Sequence, residues 1–425
     1  MRFVSYWHDT ATAFTGATAE PVDGSYDVAV VGGGFTGLAA ARHLARNGAR
    51  VVVLEAARIG SGASGRNGGH LNNGLAHSFL DAKAQFGTER AVALYRAFDD
   101  AVDTVERLVR EIGIDCAFRR CGKLKLASKP AHVESLSRNF ESIHRDADPD
   151  TALLSAADLA SEIGSVAFHG AMLSKKSAMM HMGRFLAGLA DAASRAGAVT
   201  FEDAAVVGHA LDGGRHRLTT ARGGVLADRV LLATGAYTSG PFTSFRRRII
   251  PVGSFLIATR PLTEREIAAT VPGHRTYVSS MHIGNYFRLG PDNRLVFGGR
   301  ARFSARVDQQ SDAKSGAILR AGLARIFPHL ADIEIDYCWG GLVDMTTDRL
   351  PRAGTLDGLT YAMGYSGHGA HMSIHMGEVM ADILLGRDDR NPFKGLPWPA
   401  VPGYAGTPWF LPLVGLWYRF LDTVQ

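Results

Sequence analysis

An apolar run leads into a glycine-rich turn at Tyr26-Asp-Val-Ala-Val-Val-Gly-Gly-Gly-Phe-Thr-Gly37. Continuous apolar character is typical of a parallel strand that is buried on both faces. An alanine-rich helical pattern follows over residues 38–47, and a second apolar run over residues 50–55 predicts the next strand. Together these segments predict a βαβ unit of about thirty residues.

The turn carries the spacing Gly32-x-Gly34-x-x-Gly37. The first glycine permits a tight turn, the second lets the backbone approach a diphosphate, and the third lets helix and strand pack closely. The start of the helix offers free N–H groups to phosphates. Glu55 ends the second strand, where a carboxylate accepts hydrogen bonds from ribose hydroxyls and repels a 2′-phosphate. These features predict a dinucleotide site that disfavours NADP but leaves FAD and NAD open.

The segment after Glu55 favours FAD over NAD. It consists almost entirely of small residues, Ala56-Ala-Arg-Ile-Gly-Ser-Gly-Ala-Ser-Gly-Arg-Asn-Gly-Gly-His70. Such a tract leaves backbone N–H groups free to line an extended ligand, while Arg66 supplies a cation and Asn67 a polar edge. We interpret it as a ligand-binding loop rather than a flexible surface loop.

Composition excludes several classes of protein. The chain has 425 residues, 46% apolar and 20% charged, which is typical of a packed protein of two or three domains rather than a disordered one. Three Cys without zinc or redox spacing exclude a disulfide scaffold and predict reduced thiols. A net charge of +5 without a recognition motif argues against nucleic-acid binding. Residues 1–27 lack the features of a signal peptide, so we predict a cytoplasmic protein.

No apolar stretch is long enough for a membrane span. The C-terminal run over residues 409–418 is predicted to dock on the protein, with weak peripheral association with a membrane surface as the alternative. Three histidines, His368, His371 and His375, precede Glu378 at helical spacing, but we predict no metal site there. The sequence does not indicate the oligomeric state.

The predicted fold class is α/β, with a Rossmann-like nucleotide-binding domain built from separated segments. Residues 1–85, 150–240 and 335–425 are assigned to this domain. Residues 86–149 and 241–334 are assigned to an inserted, antiparallel β-rich substrate domain. In the inserted part, Gly290-Pro-Asp-Asn293 predicts a hairpin turn between strands at residues 286–289 and 294–298.

The glycine turn and the tract after Glu55 resemble those of the D-amino-acid oxidase-like FAD superfamily, and within it the bacterial γ-glutamylputrescine oxidoreductases. Ser5-Tyr-Trp7, Ala233-Thr-Gly-Ala-Tyr237 and Gly364-Tyr-Ser-Gly-His-Gly369 are similar as well. The resemblance implies that Val206 touches the adenine, that residues 233–235 pack on the ADP half, and that the helix after Gly367 faces the flavin N1/C2=O edge. The implied FAD-binding residues are Gly32, Gly34, Phe35, Thr36, Gly37, Glu55, Ala56, Arg58, Gly62, Ala63, Ser64, Gly65, Arg66, Asn67, Gly68, Gly69, His70, Val206, Ala233, Thr234, Gly235, Gly367, His368 and Gly369.

The resemblance also implies how FAD is attached. Some relatives attach flavin through a Cys, where this chain has Gly341, and others use a His in the early loop, near the place of His70. We therefore predict noncovalent FAD, with attachment at His70 as the less favoured alternative. Some relatives that reduce oxygen quickly hold a Lys of the inserted domain above the flavin. No Lys occurs between Lys176 and Lys314, so oxidase and dehydrogenase remain open.

The implied reaction is oxidation of a C–N bond in a small amine or amino acid, with a polyamine-derived or γ-glutamylated amine favoured. Hydride passes to flavin N5, the imine hydrolyses, and oxygen reoxidises the flavin to give peroxide; a dehydrogenase or biosynthetic tailoring enzyme with another acceptor is the alternative. For substrate positioning we select Tyr286, Arg288, Trp339 and His368. Arg288 is interpreted either as a carboxylate clamp or as a strand residue paired with an acid, and Trp339 as a pocket wall or a core residue. An NAD-binding regulatory protein is the hypothesis from another class.

Overall fold

The computed structural model of the protein describes residues 1–304 and 308–424. The strands are β1 (Ser25–Val31), β2 (Val51–Leu54), β3 (His70–Leu71), β4 (Arg119–Arg120), β5 (Lys123–Leu126), β6 (Ala152–Ser155), β7 (Gly170–Ser174), β8 (Ala178–Met179), β9 (Val199–Phe201), β10 (Val206–Asp212), β11 (Arg215–Thr220), β12 (Gly223–Leu232), β13 (Ile250–Pro261), β14 (Thr276–Ser279), β15 (Tyr286–Leu289), β16 (Arg294–Arg302), β17 (Ile335–Met345), β18 (Arg352–Leu356) and β19 (Leu359–Met363). The helices are α1 (Tyr6–Asp9), α2 (Phe35–Arg46), α3 (Phe79–Phe86), α4 (Thr88–Ile112), α5 (Pro130–Asp146), α6 (Met182–Arg195), α7 (Thr243–Arg246), α8 (Glu264–Thr270), α9 (Ala313–Ile326), α10 (Gly369–Leu384) and α11 (Leu411–Val424).

The first sheet contains the predicted βαβ unit. Strands β9, β2, β1 and β12 lie side by side and parallel, with Val31 opposite both Leu54 and Leu232. The last residues of β12 pair with β19, which pairs with β18. The first residues of β12 pair with the antiparallel strand β11, which pairs with β10. The last four residues of β1, Val28 to Val31, are all buried, which confirms the prediction of a first strand covered on both faces.

The second sheet has the order β17-β13-β16-β15-β14-β5-β7-β6. All of its neighbours are antiparallel except β14 and β5, and the predicted hairpin between β15 and β16 is present, with Leu289 opposite Leu295. Strands β6, β7 and β17 belong to this sheet although their segments were assigned to the nucleotide-binding domain. We therefore propose that the substrate domain takes in these strands.

Apolar residues at spacings of three and four over residues 88–112 predict an amphipathic helix. The helix α4 has these bounds, and it packs against α10 and α6 beside the first sheet. Its buried stripe includes Leu94, Phe98 and Val102, which join the cores formed with α2 and α10. The stripe confirms the amphipathic pattern read from the sequence. It also positions the middle of α4 against the first turn of α10.

The C-terminal helix α11 docks on the second sheet through polar contacts. The carboxylate of Asp422 accepts from the N–H groups of His282 and Ile283, and Arg349 donates to the Tyr418 hydroxyl at 2.9 Å. Four of its apolar side chains are exposed: Leu413, Leu416, Trp417 and Phe420. Within the described part of the chain, no helix combines the length and apolar character needed to cross a bilayer.

Candidate functional site

The glycine turn brings α2 close to β1 and β12. Gly32 has a φ of +110°, and a Cβ on it would lie 2.7 Å from the carbonyl oxygen of Ala233. A Cβ on Gly37 would lie 1.9 Å from the carbonyl oxygen of Gly32. Neither position accepts a side chain without moving backbone, so both glycines are required for this approach.

The start of α2 fits a diphosphate. Gly34 precedes the helix and has no side chain to accept hydrogen bonds from the N–H groups of the first turn. The N–H of Phe35 donates to Ser64 Oγ at 2.9 Å, and the Thr36 hydroxyl lies 2.9 Å from the Tyr365 hydroxyl. Free N–H groups and the positive end of the helix dipole favour an anion at this position.

Glu55 lies beside the turn with both carboxylate oxygens in use. It accepts from the N–H of Gly33 at 2.7 Å and from the N–H of Ala57 at 2.9 Å. Burial raises the pKa of Glu55 above its usual value, and these backbone donors oppose the shift. A carboxylate held this way is placed to accept from the two hydroxyls of a ribose.

Arg58 points away from the turn. Its guanidinium pairs with Glu202 at 2.7 Å, and Glu202 also accepts from the N–H of Ile59 at 2.7 Å. Ala56 and Gly62 flank this part of the loop, and Ala63, Ser64 and Gly65 form a 3₁₀ turn. The Arg58 pair fixes the loop to the strand that follows α6.

Arg66 and Asn67 hold the loop rather than project from it. Arg66 donates from Nε to Ser61 O at 2.7 Å and from an η nitrogen to Gly340 O at 3.1 Å. The Asn67 side chain donates to Ser64 O at 2.9 Å and accepts from the N–H of Gly69 at 2.8 Å. These bonds turn the small-residue tract into an ordered support for a ligand.

Two buried indoles donate hydrogen bonds to the backbone of the same loop. Trp7 donates from Nε1 to Asn67 O at 2.5 Å, and Trp339 donates from Nε1 to Arg66 O at 2.9 Å. Both indoles are fully buried and contact each other and Tyr6. Trp339 therefore lies in an aromatic core beneath the loop. The sequence marked Trp7 only as part of a resemblance, because nothing local shows that residue 7 meets residue 67.

The residues expected near the ADP half lie at the edge of the first sheet. Val206 begins β10 and is buried, and a Cβ on Gly240 would lie 2.5 Å from its carbonyl oxygen. Ala233 continues β12, where its N–H donates to Val31 O at 2.9 Å. Thr234 and Gly235 then form a turn that ends next to Asp344.

Asp344 is a residue that the sequence analysis missed. Its Oδ2 accepts from the N–H of Gly364 at 2.7 Å, its carbonyl oxygen accepts from the N–H of Ser366 at 3.1 Å, and burial raises the pKa of its carboxyl to about 6. Through these bonds it holds the segment that leads to Gly367, His368 and Gly369. Strand β17 carries two acids, Asp336 and Asp344, so its sequence pattern alone did not single out Asp344.

The first turn of α10 is open at its start. Gly367 has a φ of +91°, it is exposed, and nothing lies within 4 Å of the position of a Cβ on it. His368 precedes the helix without capping it. The His368 ring contacts Phe98 of α4 at 5.5 Å between centroids, and burial lowers its pKa to about 4.

Tyr286 and Arg288 are two residues apart, and this alternation predicts that they share one face of their strand. In the structure both lie on the face of β15 that contacts the loop. The Tyr286 ring meets the His70 ring edge-on at 5.4 Å, and its hydroxyl lies 3.2 Å from Ser254 Oγ. Arg288 is 1% exposed and donates to the carbonyl oxygens of Gly68, Met180 and Leu289 at 2.7–3.0 Å. Its donors thus meet neutral carbonyls instead of a carboxylate, and burial lowers its pKa to about 10.

His70 is neutral at physiological pH. Burial and the charge of Arg288 lower its pKa to about 3, and Nδ1 lies 3.0 Å from Gly68 O. The buried Nε2 has no hydrogen-bond partner among the described residues. An orphaned ring nitrogen beside Tyr286 is therefore available to a bound molecule.

The structure adds two lysines that the sequence search did not consider. Lys123 and Lys125 lie on β5, and β5 pairs with β14 in the second sheet. The lysine expected above the flavin was sought only in the inserted segment between Lys176 and Lys314, which contains none. Because β5 precedes that segment by many residues, only the strand pairing shows that it joins the same sheet. In the described residues, no three His, Cys, Asp or Glu side chains are grouped to hold a metal ion.

Comparison with known proteins gives the family. The sequence model described as DAO, FAD dependent oxidoreductase, matches residues 27–383. The chain belongs to the DAO family of FAD-dependent oxidoreductases. It is 33% identical to γ-glutamylputrescine oxidoreductase of Escherichia coli over 89% of this chain and 88% of that protein. It is 32% identical to the probable oxidoreductase OrdL of Haemophilus influenzae, over 93% of this chain and 92% of that protein. The fold matches glycine oxidase from Geobacillus kaustophilus with a TM-score of 0.77 at 25% identity, covering 89% of this chain and 100% of that chain.

The family result and the geometry agree on the cofactor class. A dinucleotide diphosphate fits the uncapped start of α2, and a ribose fits Glu55. The orphaned His70 Nε2 and the open start of α10 fit the flavin end of FAD. Membership of an FAD-dependent family also removes the hypothesis of an NAD-binding regulatory protein.

Proposed function

We propose that this protein oxidises the C–N bond of a small amine or amino acid, with a polyamine-derived or γ-glutamylated amine as the favoured substrate. The observation that carries the proposal is the uncharged pair formed by His70 and Tyr286 at the end of the FAD-binding loop. Similarity to γ-glutamylputrescine oxidoreductase along most of the chain supports the amine class.

Bound FAD would supply the acceptor for the two electrons and the proton that leave the substrate carbon as hydride. The protein contributes position and environment. The neutral His70 imidazole offers its free Nε2 as an acceptor for an N–H of the uncharged amine. Arg288 bonds to Gly68 O and thereby fixes the loop that carries His70, so it acts as a positioning residue.

Noncovalent binding of FAD remains our proposal. Gly341 lies against Arg66, where a Cβ would be 3.0 Å from the Arg66 Cβ, and it has no nucleophile. His70 has the free nitrogen that an attachment would need, but Nδ1 is directed at Gly68 O and the ring is fixed between the loop and Tyr286. We also retain a cytoplasmic location as a prediction.

Oxygen is the acceptor that we favour, with peroxide as its product; a dehydrogenase or biosynthetic tailoring enzyme that uses another acceptor is the second candidate. Lys123 and Lys125 supply the second sheet with cations that the sequence search between Lys176 and Lys314 did not find. Peroxide released stoichiometrically with amine consumed in air supports the oxidase. Turnover that requires an artificial acceptor supports the dehydrogenase.

The test of the function is reduction of the holoprotein without oxygen. We would mix it anaerobically with polyamines, γ-glutamylated amines, D-amino acids and N-methyl amino acids and follow the flavin absorption band. Bleaching by polyamines or their γ-glutamyl forms is the expected result. Bleaching by amino acids alone moves the substrate to the wider family, and bleaching by no member of the panel contradicts the proposed reaction.

A further inference from the structure

Basic side chains gather where β5 passes the start of α10. Lys123 Nζ donates to Asn73 O, Asn73 donates to Asp99 at 2.9 Å, and Asp99 follows Phe98 in α4. The charge of Lys123 contributes to the lowered pKa of both His368 and His371, whose rings are 6.5 Å apart between centroids. Both rings contact Phe98, at 5.5 and 6.0 Å. His77 adds a third imidazole, whose charge acts on His368 in the same way. Elements distant in sequence thus bring these groups together.

The imidazoles of this cluster lack partners. His371 is completely buried, and neither of its ring nitrogens has a hydrogen-bond partner among the residues described. Both nitrogens of His77 and Nδ1 of His368 are also buried and have no hydrogen-bond partner among the residues that the structure describes. Buried polar groups are nearly always satisfied, so three unsatisfied rings around one place indicate a binding site.

Lys123 supplies the positive charge. Its Nζ donates to Asn73 O at 2.5 Å, and no carboxylate of residues 1–304 or 308–424 lies within ion-pair distance of it. The nearby acid Asp99 accepts from Asn73 Nδ2 with Oδ1 at 2.9 Å, and its Oδ2, which has no hydrogen bond among the described residues, lies 3.5 Å from Lys176 Nζ. Burial lowers the pKa of Lys123 to about 8, so the ammonium form still predominates at neutral pH. The side chain of Lys123 is half-buried, and Asp99 and Asp148 act on its charge without pairing with it, so Nζ keeps donors for an acidic group.

A carboxylate matches this donor set. It is acceptor-only and takes several hydrogen bonds, which an ammonium and neutral imidazole N–H groups provide. A metal ion does not match, because the ammonium of Lys123 would repel it and no three ligating side chains are grouped in the described residues. The subsite is therefore selective for an anionic group.

The subsite lies within reach of the reacting end of the proposed substrate. Asn73, whose carbonyl oxygen binds Lys123, is three residues beyond His70. Three extended residues span at most about 10 Å. An amine placed at His70 can therefore extend a chain of several bonds to Lys123.

We propose that Lys123 and His371 form a carboxylate-binding subsite that recognises an acidic group several bonds away from the oxidised C–N bond. His368 and His77 complete it. This inference rests on the proposed function and makes its substrate an amine that carries a remote carboxylate, as γ-glutamylated amines and long ω-amino acids do, in preference to a plain diamine.

The direct test uses glutarate as a probe on the FAD-loaded protein. We expect glutarate to perturb the flavin spectrum and to raise the melting temperature, while the uncharged glutaramide does neither. Lys123→Met should weaken glutarate binding at least about tenfold, as the loss of a charge-assisted contact does. The matched control is Lys175→Met, since Lys175 is exposed at the end of β7, and it should bind glutarate as the wild type does.

Kinetics give a second readout. The wild type should prefer γ-glutamylputrescine to putrescine in kcat/KM, and Lys123→Met should reduce that preference at least about tenfold through KM, while Lys123→Arg retains most of it. Equal effects of glutarate and glutaramide on the wild type, or a preference that Lys123→Met leaves intact, would overturn the subsite. A holoprotein that no amine reduces would instead overturn the proposed function, whereas glutarate binding would still report on the subsite.

Discussion

Glu55 is the residue on which the cofactor assignment can be tested most simply. Glu55→Gln keeps the size and one acceptor but replaces charge-assisted hydrogen bonds with neutral ones, a difference of roughly 1–2 kcal/mol. We expect the dissociation constant of FAD to rise about tenfold, measured by titration of the apoprotein with FAD. Glu20→Gln is the control, because Glu20 is exposed and its side chain has no hydrogen bond to the turn. Unchanged FAD affinity in Glu55→Gln would remove Glu55 from the ribose site.

Lys123 gives the carboxylate subsite a defined pH dependence. Its pKa is lowered to about 8, so the free protein loses this positive charge as the pH rises through that value. Glutarate, which is fully ionised throughout, should therefore bind more weakly above about pH 8, by up to tenfold per unit. The charged and titratable groups that act on Lys123 or are acted on by it are Lys125 on the same strand, Asp99 of α4, Asp148 after α5, and His368 and His371 of α10.

The two imidazoles beside Lys123 do not titrate in that pH window, whereas burial also lowers the pKa of Lys125 on the same strand. The His368 pKa is near 4 and that of His371 is well below 6.5, so both rings stay neutral from about pH 7 upward. The measurement is the dissociation constant of glutarate at a series of pH values, with Lys123→Arg as the comparison, since a guanidinium stays charged. A flat profile for the wild type would contradict the assignment.

Individual side-chain partners were the least accessible property of the sequence. Alternation along β15 correctly predicted that Tyr286 and Arg288 share a face. It did not predict that Arg288 binds the carbonyl oxygens of Gly68 and Met180, because those residues reach it from separate loops. For the same reason the contact between Trp7 and Asn67 had no local signal.

At the level of elements, the approach of α2 to β1 depends on Gly37. Gly37→Ala places a methyl group 1.9 Å from Gly32 O, so the helix or the turn must shift. We expect the free energy of unfolding to fall by about 1–3 kcal/mol and FAD affinity to fall with it. Chemical denaturation and FAD titration measure the two effects.

Gly322→Ala is the matched control for that change. Gly322 lies within α9, and a Cβ there would meet its nearest neighbours at 3.4–3.5 Å, an ordinary contact. Alanine should therefore leave FAD affinity unchanged and stabilise the helix by about 0.5–1 kcal/mol. If Gly37→Ala behaved like Gly322→Ala, the close packing of α2 on the turn would not be needed for binding.

Elements with strong local patterns were predictable, and the bounds of α4 and the start of α10 agree with the sequence. Strand β5 was predicted as half-exposed from the alternation of lysine and leucine over residues 123–126. The burial of its residues alternates in this way, which confirms the prediction, but the strand pattern did not show that the lysine side lies near α10. Which element covers a strand face is decided by long-range packing, and the pattern within the strand does not contain it.

For the whole molecule, we expect FAD to leave when the fold is lost. Residue 341 is a glycine that packs on Arg66, so it offers no thiol to which the flavin could be attached. Acid precipitation of the holoprotein should release the flavin into the supernatant, where its absorption is measured. Flavin that stays in the pellet and persists on the denatured polypeptide would contradict noncovalent binding and direct attention to His70.

The broad organisation of the molecule was also accessible from the sequence, whereas the origin of some strands in the second sheet was not. The glycine turn, the acid at Glu55 and the β-rich insertion were each identified from local patterns. The pairing of β5 with β14, and of β17 with β13, joins residues separated by many elements. These pairings bring Lys123 to the candidate site and Asp344 to the loop before α10.

A crystal structure of the FAD-loaded protein tests the account most directly. We predict that the diphosphate lies against Gly32, Gly34 and Gly37 at the start of α2, that Glu55 accepts from the ribose, and that the flavin ring lies beside His70 and the first turn of α10. A diphosphate bound anywhere else in the molecule would contradict the account.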